Sequence, residues 1–187
     1  MIFVISHLPQ IKYTLPVDYT IIRSDLTGLD ECWKDLRGFR TILSMQDYIK
    51  DDVICNFQYR RYFDCFEIPD GYDAVGDCYE LGIIPIYQFA MHHGSTDICI
   101  CEEIVNDSSF TAWLYSPQFN MSLDSMTMMK KGRWIEYATW MFNILDKWFT
   151  HPEREEAGNS SFLAERLTAY YLSQMKTYKA KRIEFPK

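Results

Sequence analysis

Apolar residues recur along the chain in two rhythms, continuous runs and helical stripes. Residues 1–6 form a continuous run and read as a buried strand. After a loop over residues 8–16, residues 19–22 read as a short second strand and residues 53–57 as another. Helical spacing takes over where Leu26, Leu29, Cys32, Trp33 and Leu36 share one face, a helix that Gly38 can end. A second short helix is predicted over 41–50, with Ile42, Met45 and Ile49 aligned. Residues 68–71 signal a turn, and Tyr72 to Val75 a short strand. Residues 85–93 read as a helix closed by Gly94, and Ser95 or Thr96 caps the next through about Val105, with Asp97 in its first turn. The stretch 106–123 reads as irregular, and the methionine-rich run 125–130 as a strand. Trp134, Tyr137, Ala138, Met141, Ile144, Leu145 and Trp148 mark one face of a long helix. A charged loop over 151–158 leads to Asn159-Ser-Ser161, which caps a last helix striped by Leu163, Leu167, Tyr170 and Tyr171. Strands mixed with helices throughout predict a single α/β domain with a mainly parallel or mixed sheet.

A length of 187 residues suits one domain with a real core. The aromatic fraction, 16%, is high enough to suit a site that stacks rings, although thick aromatic cores are commoner. None of the 6 cysteines forms a C-x-x-C pair, and most sit among apolar neighbours. That pattern predicts reduced thiols in a reducing, cytoplasmic setting and gives zinc no paired ligands. The start is too short and uncharged for a secretory leader, and no run is long enough to span a bilayer. A formal charge of -7 argues against general nucleic-acid affinity. The exceptions are the cluster Lys130, Lys131, Arg133 and a basic tail from about residue 176.

The densest candidate chemistry is at Val53–Phe63, where an apolar strand turns into Tyr59-Arg60-Arg61-Tyr62. Guanidiniums are rigid forks suited to phosphate or carboxylate. The C-terminal end of a strand is where open α/β sheets bind ligands. The alternative is an exposed basic turn. His92-His93 resembles a metal pair only superficially, since adjacent residues on a helix do not face one way.

Four stretches resemble one family in the right order. Asp25-Leu-Thr-Gly-Leu-Asp-Glu-Cys-Trp-Lys34 is similar to its E-L-T-G-x-x-x-x-W-K block, and Phe57–Phe63 to its H-Y-R-R-Y-F block. Ser125–Lys131 with the following helix resembles its N-M-F-I-M-K-K block, and Phe162–Leu167 its A-E-R-L helix. The family is the domain, formerly of unknown function, of bacterial capsular and exopolysaccharide synthesis proteins, treated as glycosyltransferase-like. Gln58, Asp25 and Ser125 depart from its histidine, glutamate and asparagine.

The resemblance implies a GT-A-like, nucleotide-diphospho-sugar transferase fold, with a central mixed, mostly parallel sheet flanked by helices. It implies transfer of a sugar from a nucleotide-diphosphate sugar to an acceptor hydroxyl of a glycan. In most such enzymes a D-x-D pair holds a divalent metal. Here that place holds Tyr59-Arg60-Arg61, so no metal and no other cofactor is expected. Arg60, Arg61 and Arg166 are the expected cations for the leaving diphosphate, and Glu165 the expected base. His7, Asp25, Thr27, Tyr59 and Lys130 are the expected donor-binding residues. Two other classes compete. One is a glycosyltransferase acting on a modified base in DNA; the other is a non-catalytic nucleotide-sugar or glycan binding module.

Overall fold

The computed structural model describes residues 1–8, 10–11, 13–26, 35–77, 82–119, 121, 124–155 and 159–185. The helix expected over residues 26–36 lies mostly outside them. Within them, β1 (Ile2–Ser6), β2 (Tyr19–Arg23), α1 (Leu36–Ser44), β3 (Val53–Gln58), β4 (Arg61–Phe63) and β5 (Ala74–Asp77) come first. Then follow α2 (Pro85–His93), α3 (Thr96–Val105), α4 (Ser108–Tyr115), β6 (Thr127–Lys130), α5 (Lys131–Phe149), α6 (Ser160–Ser173), β7 (Thr177–Ala180) and β8 (Arg182–Glu184).

The strands form one sheet in the order β2-β1-β3-β6-β5-β7, with β4 pairing β3 and β8 pairing β4. β1 runs parallel to β2 and β3, and β5 parallel to β7. β6 alone of the six is reversed, lying antiparallel to both β3 and β5. This is the mixed, mostly parallel sheet expected from the sequence.

Alternation along the strands divides the core in two. Phe3, Ile5, Ile54 and Met129 face a cluster that draws on every helix from α1 to α6. Ile2, Val4, Cys55, Phe57 and Met128 face a second cluster, covered by Tyr13, Leu15, Tyr62 and Phe66. β1 is buried along its whole length because it lies inside the sheet with both faces covered.

Four elements differ from the sequence reading. Gly38 does not end a helix but lies inside α1, where a Cβ would meet Ile5 Cγ2 at 2.6 Å. The glycine is there for close approach of α1 to β1. The helix read over 41–50 is the second half of α1 followed by a 3-10 turn at Gln46–Tyr48. The stretch 106–123, read as irregular, contains α4. Asn106 takes a left-handed φ of 48° to end α3, and Asp107 restarts the helix by accepting from Ser109 N at 2.8 Å. The basic tail is also structured, since β7 joins β5 and β8 joins β4. Its alternate residues, Ala180 buried and Lys179 exposed, follow the period of a strand.

Candidate active site

β1, β3 and β5 end along one edge of the sheet, at Ser6, Gln58 and Asp77. Because β6 is reversed it begins at that edge, which brings Asp124 and Ser125 beside Asn56 and Gln58. Gln58 pairs with Arg61, so Tyr59 and Arg60 form a two-residue hairpin turn. The turn is braced on two sides. The Tyr13 hydroxyl lies 2.6 Å from the Gln58 carbonyl and 3.1 Å from that of Arg61. Phe185 N donates to the Arg60 carbonyl at 2.9 Å. The Tyr59 ring meets His7 edge-on at 4.7 Å, and the Arg60 guanidinium lies 5.9 Å from the Tyr59 ring centre.

The two arginines have different surroundings. Arg60 makes no ion pair among the described residues. Arg61 is committed: its Nη1 lies 2.5 Å from Asp124 Oδ1 and its Nη2 3.1 Å from Glu184. Arg182 takes the other Asp124 oxygen at 2.5 Å and lies 3.7 Å from Asp77. The Asp124 side chain is only 3% exposed, and a carboxylate so far out of water requires such partners. Arg61 and Arg182 therefore fasten β4, β8 and the start of β6 together.

Next to the hairpin is a cavity of about 60 Å³. Ile5, Leu36, Phe39 and Phe57 give it an apolar wall; Asp35, Asn56, Gln58, Ser125, Ser161 and Glu165 give it a polar one. Asn56 is a fixed part of that wall. Its Nδ2 donates to the Ser125 carbonyl at 2.8 Å, and its Oδ1 accepts from Thr127 at 2.7 Å and Trp134 Nε1 at 2.9 Å. The Ser161 hydroxyl is buried and finds no partner among the described residues. His7 Nδ1 lies 3.9 Å from Asp35 Oδ1, which links the first strand's end to the same cavity.

Glu165 enters from the second turn of α6, which its sequence neighbours Leu163, Ala164 and Leu167 anchor in the core. Burial pushes its carboxyl up from 4.5 to about 8. Arg166, with Nη1 at 3.3 Å, and Arg61 pull it down, while the Asp124 charge pushes it up. Burial wins. Arg166 itself is 1% exposed, with burial lowering its pKa; it donates to Gln88 and lies over the Phe89 ring at 5.9 Å. It stands behind Glu165 as a charge partner, instead of in the open as a cation for the donor.

Of the residues expected from the sequence, His7, Tyr59, Arg60, Arg61 and Glu165 therefore gather at one edge. Asp25 lies at the end of β2 in a bidentate pair with Arg23, at 2.8 and 2.6 Å, which lowers its pKa. Thr27 lies outside the described residues. Lys130 is at the opposite edge: it pairs with Val53, the first residue of β3, about 17 Å from Gln58 at strand rise. The reversal of β6 puts it there. The sequence reading missed Asp35, Asn56, Asp124 and Arg182. Asp124 directly precedes the Ser125 block, and that adjacency was the available signal.

A metal does not fit the residues at the hairpin. Both Asp124 oxygens are bonded to guanidiniums, and Asp64 Oδ1 accepts from Lys181 N at 3.0 Å. No group of three or more His, Cys, Asp or Glu side chains suited to a metal occurs among the described residues. His93 stacks on Phe162 at 3.8 Å.

The sequence matches no family model and no curated protein. Among solved structures, the apo structure of WbbM, a bifunctional glycosyltransferase, aligns over 100% of this chain with a TM-score of 0.71 and 13% identity. The chain spans 45% of that protein's chain. At that identity the likeness is one of fold. This chain has a glycosyltransferase-like α/β fold.

Proposed function

We propose that the protein is a glycosyltransferase that moves a sugar from a nucleotide-diphosphate donor to a glycan hydroxyl, as in capsular or exopolysaccharide synthesis. The observation that carries this reading is a cation in no ion pair among the described residues, beside a carboxyl raised by burial, at the C-terminal edge of the sheet in a glycosyltransferase-like fold. Arg60 is presented by a braced turn, and Glu165 lines the adjoining cavity with its carboxyl raised to about 8.

In the reaction, the acceptor oxygen bonds to the anomeric carbon as the bond from that carbon to the diphosphate breaks. The electron pair leaves with the diphosphate, whose charge Arg60 offsets through its guanidinium fork. The acceptor proton passes to the Glu165 carboxylate, and Arg166 steadies that carboxylate while it is charged. Tyr59 and His7 offer ring faces beside the turn for the nucleoside. Arg60 takes the role that a metal has in most related folds, so turnover needs no divalent ion. A net charge of -7 favours a glycan over duplex DNA as acceptor. The free thiols of Cys55, Cys65, Cys99 and Cys101 suit a cytoplasmic setting. No helix among the described residues is long and apolar enough to cross a membrane.

Calorimetric titration with uridine, guanosine, thymidine and cytidine diphosphates tests the donor side. One of them should bind the parent and bind Arg60→Ala at least about tenfold more weakly, with Lys130→Ala unchanged. Binding that is lost in Lys130→Ala and retained in Arg60→Ala would place the donor at the other edge of the sheet.

A further inference from the structure

A second cavity, of about 230 Å³, lies further along α6. Its walls include Trp113 at the end of α4, Phe119 and Met121 in the segment that follows, and Asp77, Thr177 and Lys179 on β5 and β7. The walls are built. The Gln118–Phe119 segment is tied to Ile83 by two backbone hydrogen bonds, of 3.0 and 2.6 Å. Gln118 Nε2 also donates to the Trp113 carbonyl at 2.9 Å and that of Ser116 at 3.1 Å. Phe119 is nevertheless 68% exposed, an aromatic face held out by a fixed segment. Lys179 makes no ion pair among the described residues.

The two cavities share one helix face. Ser161 and Glu165 line the first; Ala169 and Ser173 line the second. These residues follow at intervals of four, so they form a single stripe on α6, and Ala169 lies about 6 Å along the axis from Glu165. The ion network reaches the same wall from the sheet side, through Asp77, Arg182 and Asp124.

We infer that this second cavity holds the acceptor, and that the acceptor presents there one neutral sugar ring. The inference rests on the transferase reading and specifies its acceptor. The volume is below that of drug-sized pockets and suits a single ring. Trp113, Phe119 and Met121 offer an apolar surface for the C–H face of a pyranose. Gln118, Ser173, Asp77 and Lys179 supply donors and acceptors for its hydroxyls. A hydroxyl projecting along this stripe toward the α6 N-terminus is directed at the Glu165 carboxylate; in hydrogen-bond reach it gives up its proton there as its oxygen bonds to the donor's anomeric carbon and the bond to the diphosphate breaks. Glu165 lines the first cavity and lies one turn of α6 from Ala169 in the wall of the second, so a base on this stripe can serve an acceptor held there.

The test is saturation-transfer NMR with the methyl glycosides of glucose, galactose, mannose and N-acetylglucosamine. It uses the parent, Phe119→Ala, which alters an exposed ring, and Ser173→Phe, which fills the cavity from an exposed position. At least one glycoside should show ring-proton saturation with the parent and lose about fivefold or more of it in both variants. Nucleoside diphosphate signals should be the same in all three proteins. The inference is overturned if no methyl glycoside is saturated, or if glycoside signals persist in both variants. It is also overturned if 5-hydroxymethyl-2′-deoxycytidine gives the variant-sensitive signal in their place. Variant-sensitive glycoside signals without any nucleotide signal would uphold the cavity and count against the transferase reading alone.

Discussion

Glu165→Gln separates the cost of burying a carboxyl from its use. In the folded protein this carboxyl titrates at about 8, against 4.5 ordinarily. The folded state therefore binds the proton more tightly than the unfolded one. The stability associated with that proton is complete below 4.5 and is lost as pH rises through about 8. At ~1.4 kcal/mol per pH unit the interval sets a ceiling of about 5 kcal/mol. Since 21% of the side chain is open to water, about 2–3 kcal/mol is the more realistic loss. Glutamine keeps the shape and cannot ionise. The variant should match the parent in urea denaturation at pH 5 and exceed it by about 2–3 kcal/mol at pH 9. Its turnover should fall by about 10²–10⁴, the usual contribution of a positioned base. In the parent, turnover should rise with pH through about 8 as the base is freed of its proton. A stability difference between variant and parent that is the same at pH 5 and pH 9 would refute the reasoning.

The arginine pair should divide in stability as it does in geometry. Arg61→Ala leaves the buried Asp124 carboxylate with one of these two guanidiniums removed and should cost about 3 kcal/mol in denaturant unfolding, whereas Arg60→Ala should cost under about 0.5 kcal/mol. Gly38→Ala gains helix propensity, but its Cβ meets Ile5, a β-branched side chain 2% exposed that cannot swing away. Overpacking should win, and a net loss of about 1–2 kcal/mol in the same assay is expected.

The fold was legible in the sequence where one periodicity ruled. Pro85 and Gly94 bracket α2, and the apolar stripe from Trp134 to Trp148 fixes α5. It was less legible where a residue had two uses. Gly38 reads as a helix terminator, and only the nearness of Ile5 shows why it lies inside α1. The 177–184 segment is basic, and its charge hides an alternation that becomes meaningful once β5 and β4 are there to pair with it. For the candidate site, Arg60 and Glu165 could be singled out because each lies in a distinctive block next to an apolar element; their roles remain proposals. The Asp124–Arg182 bond joins residues 58 positions apart and leaves no local pattern. Lys130 was misplaced for a related reason, because strand direction is a property of pairing and is not written in Thr127–Lys130 itself.

The central claim is that Arg60, without a metal, carries the leaving diphosphate at this edge of the sheet. Its most direct test is release of nucleoside diphosphate from a panel of nucleotide sugars, in the presence of a glycan acceptor mixture, after exhaustive EDTA treatment. The account predicts that release survives chelation, is not raised by added magnesium or manganese, and falls by about 10²–10³ in Arg60→Ala. Release that is abolished by EDTA and restored by manganese, or that is undiminished in Arg60→Ala, would contradict it.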